Sequence, residues 1–200
     1  MKQSYRQTKR WTVLNSEANF DYLKYMTDHA DKKALLSELM TAYGREVWNY
    51  AYSISRKREM ADDITQEVFI KVFKNLHGFR SDASVKTWLL TITRNTAIDF
   101  QRSAFLRKVT LTDWSLETGE SRSVEQEVME KQSVNDMWKL VLKLPTKYRE
   151  VIILYAHHQL SLREIADMLD VTEGTVKSRM FHARKKLSKL KEQNAYGSNG

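Results

Sequence analysis

The chain has 200 residues, 42% hydrophobic and 29% charged, the balance of a soluble globular protein with one larger or two smaller domains. One proline and six glycines leave little room for a turn-rich β architecture, and the absence of cysteine excludes a disulfide framework or a thiolate metal site while fitting a reducing cytoplasm. A net charge of +8 and a pI near 9.5 point to an anionic partner, nucleic acid ahead of a membrane surface.

The start, MKQSYRQTKRW, is basic, but no apolar stretch follows it as a secretory signal requires. The first thirty or so residues mix charges and aromatics, with room for a short helix over 20–26. From 33 to 55 the apolar positions Leu36, Met40, Tyr43, Val47, Ala51 and Ile54 keep spacings of three and four, the period of a helix packed along one side. A polar break over 56–60 follows.

Residues 62–76, DDITQEVFIKVFKNL, read as a second helix. At about 100° per residue, Ile64, Val68, Phe69, Val72, Phe73 and Leu76 fill one apolar arc. Opposite stand Asp63, Gln66, Glu67 and Lys74, with Ile70 in their midst. A lone aliphatic on a solvated face can be accidental. Set among carboxylates, an amide and an ammonium, it equally suits the centre of a protein-docking patch.

HGFRSDAS (77–84) has loop composition, and a third helix is expected from about 85 to 102. Its apolar arc contains Trp88, Leu89, Ile92 and Phe100, and Thr91, Arg94, Asn95, Gln101 and Arg102 form a polar stripe beside it. Donor and acceptor groups, arginines and the loop's Phe79 and Arg80 suit a nucleic-acid strand with its bases flipped out. A solvated polar face with Phe79 in the core is the simpler reading.

Between 110 and 136 the charge reverses, with seven acidic residues against Arg122 and Lys131, and TDWSLETGESRS reads as a linker. A helix then resumes with Val134, Met137, Trp138, Val141 and Leu142 on its apolar side, and Leu144-Pro145 punctuates it. The longest apolar run, 151–156, is too short to span a bilayer. His157-His158 invites a metal reading, but neighbouring residues on a helix point about 100° apart and no third ligand is evident. No nucleophile and base are recognisably arranged, so neither an enzyme nor a cofactor is expected.

Ser161 can cap SLREIADMLD with Glu164 completing a capping box, over a buried stripe of Leu162, Ile165, Ala166 and Leu169. DVTEG connects to a further helix with Thr172 as cap and Val176, Met180, Ala183 and Leu187 inward. Two short helices with a small-residue turn form a helix-turn-helix pattern, whose second member enters the DNA major groove. On that helix Lys177, Ser178, Phe181, His182 and Lys185 face away from the stripe, with Thr175, Arg179 and Arg184 at the margins. Cations suit phosphates, serine and histidine can read base edges, and Phe181 can cover a thymine methyl. A solvated basic helix with a stray aromatic is the alternative; the coincidence of two-helix frame and basic face favours DNA.

Three strings, ADDITQEVFIKVFKNL (61–76), SVKTWLLTITRNTAIDFQR (84–102) and LSLREIADMLDVTEGTVKSRMFHARKKL (160–187), stand in this order around the acidic linker. Together they resemble the extracytoplasmic function (ECF) group of the sigma-70 family of bacterial RNA polymerase sigma factors. The resemblance implies an all-α fold of two small helical domains joined by a flexible acidic linker. Its divisions would be an N-terminal extension (1–32), a region 2 domain (33–105), the linker (106–129), a region 4 helix-turn-helix domain (130–192) and a disordered tail (193–200).

The same resemblance implies a protein that binds core RNA polymerase, directs it to promoters and aids melting. Asp63, Gln66, Glu67, Ile70 and Lys74 would dock on the clamp helices of the β′ subunit, with the β subunit a further contact. Phe79, Arg80, Ser84, Arg94 and Asn95 would hold the minus-10 element as unwound non-template strand. Thr175, Lys177, Ser178, Arg179, Phe181, His182, Arg184 and Lys185 would meet the minus-35 element. The acidic linker would thread toward the RNA exit path. An anti-sigma protein, often membrane-bound, would restrain a factor otherwise cytoplasmic and associated with the nucleoid. Two departures stand out: the N-terminal extension is longer than in many relatives, and His182 stands where arginine is frequent. The alternative function is a helix-turn-helix regulator that is not a polymerase subunit.

Overall fold

The structure is a computed structural model, which describes residues 29–76, 84–111 and 132–197. The anticipated helix over 20–26, the loop residues Phe79 and Arg80, and most of the acidic linker lie outside them. The described residues hold seven α-helices and no strand, in two helical units.

Helices α1 (His29–Ser55), α2 (Arg58–Lys74) and α3 (Val85–Leu111) form the first unit. The polar break is shorter than expected, because only Arg56 and Lys57 separate α1 from α2, with Arg56 at φ 58 making the turn. The arc of α2 packs inward as its periodicity dictates: Ile64, Val68, Phe69, Val72 and Leu76 are buried and Phe73 is partly so. Polar ties fix the three helices laterally. Trp48 Nε1 donates to Asp62 Oδ1 at 2.6 Å, joining α1 to α2. Lys71 joins α2 to α3, donating to Thr96 Oγ1 at 3.1 Å and pairing with Asp99 at 3.6 Å.

The α1 stripe is a correction. Leu35 and Leu39 are buried where Leu36 and Met40 were expected, and Met40 is exposed. Apolar pairs at 35/36 and 39/40 offer two stripes of equal spacing, and packing against α2 and α3 selects the earlier one. From Val47 onward the expected face is the buried one, with Tyr50 added. Helix α3 also outruns its expected end at 102, continuing to Leu111, since nothing between those positions breaks a helix.

The second unit comprises α4 (Gln132–Leu142), α5 (Thr146–Ile152), a π-helical turn over Ile153–His157, α6 (Leu162–Leu169) and α7 (Glu173–Gly197). Pro145 is the N-cap of α5, a place where its missing N–H costs nothing. Helix α7 carries past 192 to Gly197, the first glycine after the turn into α7, rather than giving way to a tail. In α4 the buried side is Leu140 and Val141, while Met137, expected inward, is exposed.

The helix-turn-helix follows its sequence signals closely. The Ser161 side chain accepts from Glu164 N at 3.2 Å while Glu164 Oε2 accepts from Ser161 N at 2.9 Å, a complete capping box. Asp170, at φ 53, ends α6 in the left-handed conformation and donates its N–H to the Ala166 and Asp167 carbonyls. Thr172 Oγ1 then accepts from Thr175 N at 3.1 Å and starts α7. Ile165, Ala166 and Leu169 of α6 and Val176, Met180 and Ala183 of α7 are buried between the helices.

Candidate nucleic-acid and docking interfaces

Helix α7 presents its cations as its periodicity requires. With Val176, Met180 and Ala183 inward, Lys177, Ser178, His182, Arg184 and Lys185 are exposed, and Thr175 and Arg179 sit at the half-buried margins. Phe181 is 64% exposed, an unusual state for a ring with no core role. The His182 ring lies edge-on to Phe181 at 5.5 Å and tilted toward Tyr148 at 6.0 Å, so three aromatic rings adjoin the cationic face. This surface offers phosphate contacts along its length and an apolar tip at its centre.

Helix α2 keeps its docking candidates on one outer face. Asp63, Gln66, Ile70 and Lys74 are exposed and Glu67 is half-buried, with Ile70 at 46% exposure outside the core. The arc on the other side of the same helix is fully used in packing.

The first residues of the minus-10 candidate set lie outside the described chain, and the structure brings the others to α3. Ser84 caps that helix: its Oγ accepts from Thr87 N at 3.1 Å. Asn95 is exposed. Gln101, from the same polar stripe, donates to the Ile54 carbonyl at 3.0 Å. Arg94 is not free: its Nε donates to Glu150 Oε1 at 3.2 Å, with side-chain exposures of 20% and 10%.

That contact crosses from one helical unit to the other, and it belongs to a seam that local sequence patterns did not reveal. Thr87 Oγ1 of α3 donates to Glu164 Oε1 of α6 at 3.0 Å. Arg149 of α5 is buried and donates to the Leu142, Leu144 and Ile54 carbonyls at 3.1, 2.9 and 3.4 Å. Its burial, with Arg56 nearby, lowers its pKa to about 10. Burial likewise raises the Glu150 carboxyl above its usual range, against the pull of Arg94, Arg179 and Arg149.

The two histidines separate. The π turn inserts one residue into the helical repeat, with His158 N donating to the Ile153 carbonyl, and this rotates the side chains that follow. His157 stays exposed, edge-on to Trp138 at 5.2 Å. His158 turns into the seam, edge-on to Tyr50 at 5.5 Å and 3.9 Å from Glu46 Oε2, too far for a hydrogen bond. Burial holds His158 below the usual histidine range. His158, opposed by burial and assisted by Lys86, holds Glu46 below the usual carboxylate range. His158 is thus accounted for by its packing and its neighbours in the seam.

A last surface is an apolar groove between α4, the π turn and α7, about 490 Å³ in volume and lined by Met137, Trp138, Val141, Ile152, His157 and Leu187 among others. No helix among the described residues is long and apolar enough to cross a membrane.

Two helical units, one a helix-turn-helix with an exposed cationic face, define a two-domain DNA-binding protein. The sigma-70 region 2 family matches residues 39–105 and the sigma-70 region 4 family matches residues 135–187. The ECF RNA polymerase sigma factor SigM of Bacillus subtilis is 26% identical over 155 residues, covering 78% of this chain and 94% of SigM. RNA polymerase sigma factor SigV of the same organism is 32% identical over 153 residues, covering 76% of this chain and 89% of SigV. Among solved structures, the sigma factor RpoE of Bartonella quintana, in complex with the anti-sigma factor NepR, superposes with a TM-score of 0.67 at 26% identity, covering 80% and 98% of the two chains. CnrH, solved with the cytosolic domain of CnrY, gives a TM-score of 0.56 at 25% identity, covering 82% and 94%. The chain belongs to the ECF group of the sigma-70 family, the RNA polymerase sigma factors.

Proposed function

We propose that this sigma factor works as a non-catalytic specificity subunit whose three surfaces act at three places on the transcription machinery. Asp63, Gln66, Glu67, Ile70 and Lys74 dock on the β′ clamp helices of core RNA polymerase. Phe79, Arg80, Ser84, Arg94 and Asn95 hold the unwound minus-10 strand, and Thr175, Lys177, Ser178, Arg179, Phe181, His182, Arg184 and Lys185 meet the minus-35 duplex. The observation that carries this reading is one chain with both an exposed Ile70 among charges on α2 and an exposed Phe181 among cations on α7. A helix-turn-helix regulator needs the second surface but not the first.

The division into 33–105 and 130–192 follows from the same reading, with the acidic linker between them giving each domain its own reach. The apolar groove beside α7 is a second place for a protein segment, from the β subunit or an anti-sigma protein. Anti-sigma restraint is supported by the relatives solved with NepR and CnrY. We place the working protein in the cytoplasm, on the nucleoid when active, with any membrane tether supplied by that partner.

Run-off transcription with purified core polymerase on genomic DNA tests the proposal. Discrete promoter-dependent transcripts that require this chain are expected. Their absence, with duplex binding retained, would leave the regulator reading instead.

A further inference from the structure

The outer side of α7 carries one ring whose capacity to read a base depends on which way it points. His182 is exposed, and a neutral imidazole has one nitrogen that donates and one that accepts. Which of them faces outward is set by the torsion between Cβ and the ring, a torsion with only broad preferences of its own. A ring that turned freely would offer donor and acceptor by turns and would discriminate poorly between base pairs, which differ in that pattern.

Among the described residues two rings confine it. Phe181 lies edge-on to His182 at 5.5 Å with the planes 76° apart, and Tyr148 is tilted by 41° at 6.0 Å, both within the range of aromatic pairs. The two walls are unequal. Phe181 is 64% exposed, so little packing holds it still. Tyr148 is half-buried on α5, which packs against α7. Its backbone N–H donates to the Pro145 carbonyl at 2.9 Å. Beside it the buried Arg149 ties down the same turn, donating to the Leu142 and Leu144 carbonyls and to Thr146 Oγ1 at 3.1, 2.9 and 3.2 Å. The Lys147 ammonium lies over the Tyr148 ring, 5.1 Å from its centre. Of the two rings beside His182, Tyr148 is therefore the fixed one, and it comes from outside the helix-turn-helix.

We propose that Tyr148 is a positioning residue for minus-35 recognition: its ring fixes the plane of the His182 imidazole, and His182 so held discriminates one base pair of the minus-35 element. This deepens the proposed function and rests on its assignment of α7 to the minus-35 duplex. The chemistry of the face divides the work. The long cations Lys177 and Lys185 reach phosphates wherever they fall along the backbone, whereas a short ring reads only the base edge directly in front of it.

The test uses the full chain assembled with core polymerase, on a duplex promoter found by run-off transcription whose minus-35 base pairs are substituted one at a time. Competition between the duplexes gives the preference at each position. His182→Ala should abolish a preference on the order of fivefold at one position, the lower end of what a specific side-chain contact gives, and leave the others intact. Tyr148→Leu should lose most of the preference at that same position, whereas Tyr148→Phe, which keeps the ring, should retain it. In the His182→Ala background Tyr148→Leu should have no further effect there. Tyr148→Met serves if thermal unfolding shows that the leucine variant does not fold. Uniform weakening at every position makes Tyr148 a packing residue only and overturns the proposal, as does a Tyr148 effect that persists without His182. The proposal also falls if His182→Ala changes no preference. Lys185→Ala then tells that failure from a deeper one: weakened promoter binding keeps α7 on the duplex, and unchanged binding removes the α7 assignment itself.

Discussion

Replacing Ile70 with glutamate puts a charge at the centre of the proposed polymerase-docking face while leaving the fold alone. Ile70 is 46% exposed, so about half of its side chain remains to be buried by a partner. Full burial of an isoleucine contributes about 1.5–3 kcal/mol, which leaves about 1 kcal/mol to be gained on docking. A carboxylate in the same place forfeits that and adds the penalty of an unpaired charge removed from water, several kcal/mol after relaxation. The loss should come to about 4 kcal/mol, on the order of a thousandfold in Kd. Ile70→Ala forfeits only the first part, a loss of about fivefold. Neither change touches the core, and Lys74 one turn later can pair with the new carboxylate, so thermal unfolding should stay within about 0.5 kcal/mol of the unsubstituted chain. Fluorescence anisotropy of the labelled chain titrated with core polymerase reads the series directly. A folded Ile70→Glu variant that binds within threefold of the unsubstituted chain refutes the docking assignment.

Four other outcomes are expected. Lys185→Ala should weaken promoter binding across sequences and lower the slope of log K against log salt by about 0.9, the contribution of one phosphate; an unchanged slope means Lys185 touches none. Asn95→Ala should impair strand opening, read by permanganate reactivity, more than duplex binding, read by gel shift, and the opposite order would remove it from the melted strand. Ser161→Ala removes the side-chain half of the capping box and should destabilise the helix-turn-helix unit by about 1 kcal/mol in urea unfolding. Because burial depresses His158, the folded chain disfavours its charged form: the stability from neutral His158 is complete above the unfolded pKa near 6.5 and is lost as pH falls below it. The groups facing it are Glu46, Lys86, His157 and Tyr50; Glu46, itself depressed, adds its own loss only below 4.5, and His158→Gln should flatten the stability profile between those two windows.

Much of the fold was readable because its signals are local. A capping box spans three residues, and the stripes of α2 and α7 repeat within one helix, so physics at short range was enough to place Ile70 and Phe181 outside the core. The first half of α1 was not readable in this way. Leucines at both 35 and 36 satisfy the same period, and only contact with α2 and α3 decides between them. The seam was less readable still, since its partners lie 56, 77 and 95 residues apart. Nothing around Arg149 and Glu150 in sequence says that α3 and α1 will cover them. The separation of the histidine pair was unreadable for a related reason: helical spacing puts adjacent side chains about 100° apart but does not say which of them the π turn over Ile153–His157 turns inward.

On the proposed assignments, the two nucleic-acid surfaces of a chain of net charge +8 differ in what constant exposure would do. Phosphate attraction to the α7 cations would be long-ranged and sequence-independent, and would bring the chain to duplex DNA at no cost to specificity. Covering those cations would slow the search for promoters. A strand-holding surface open at all times has the opposite effect, since it would capture any transiently single-stranded nucleic acid, which is bound with little regard to sequence.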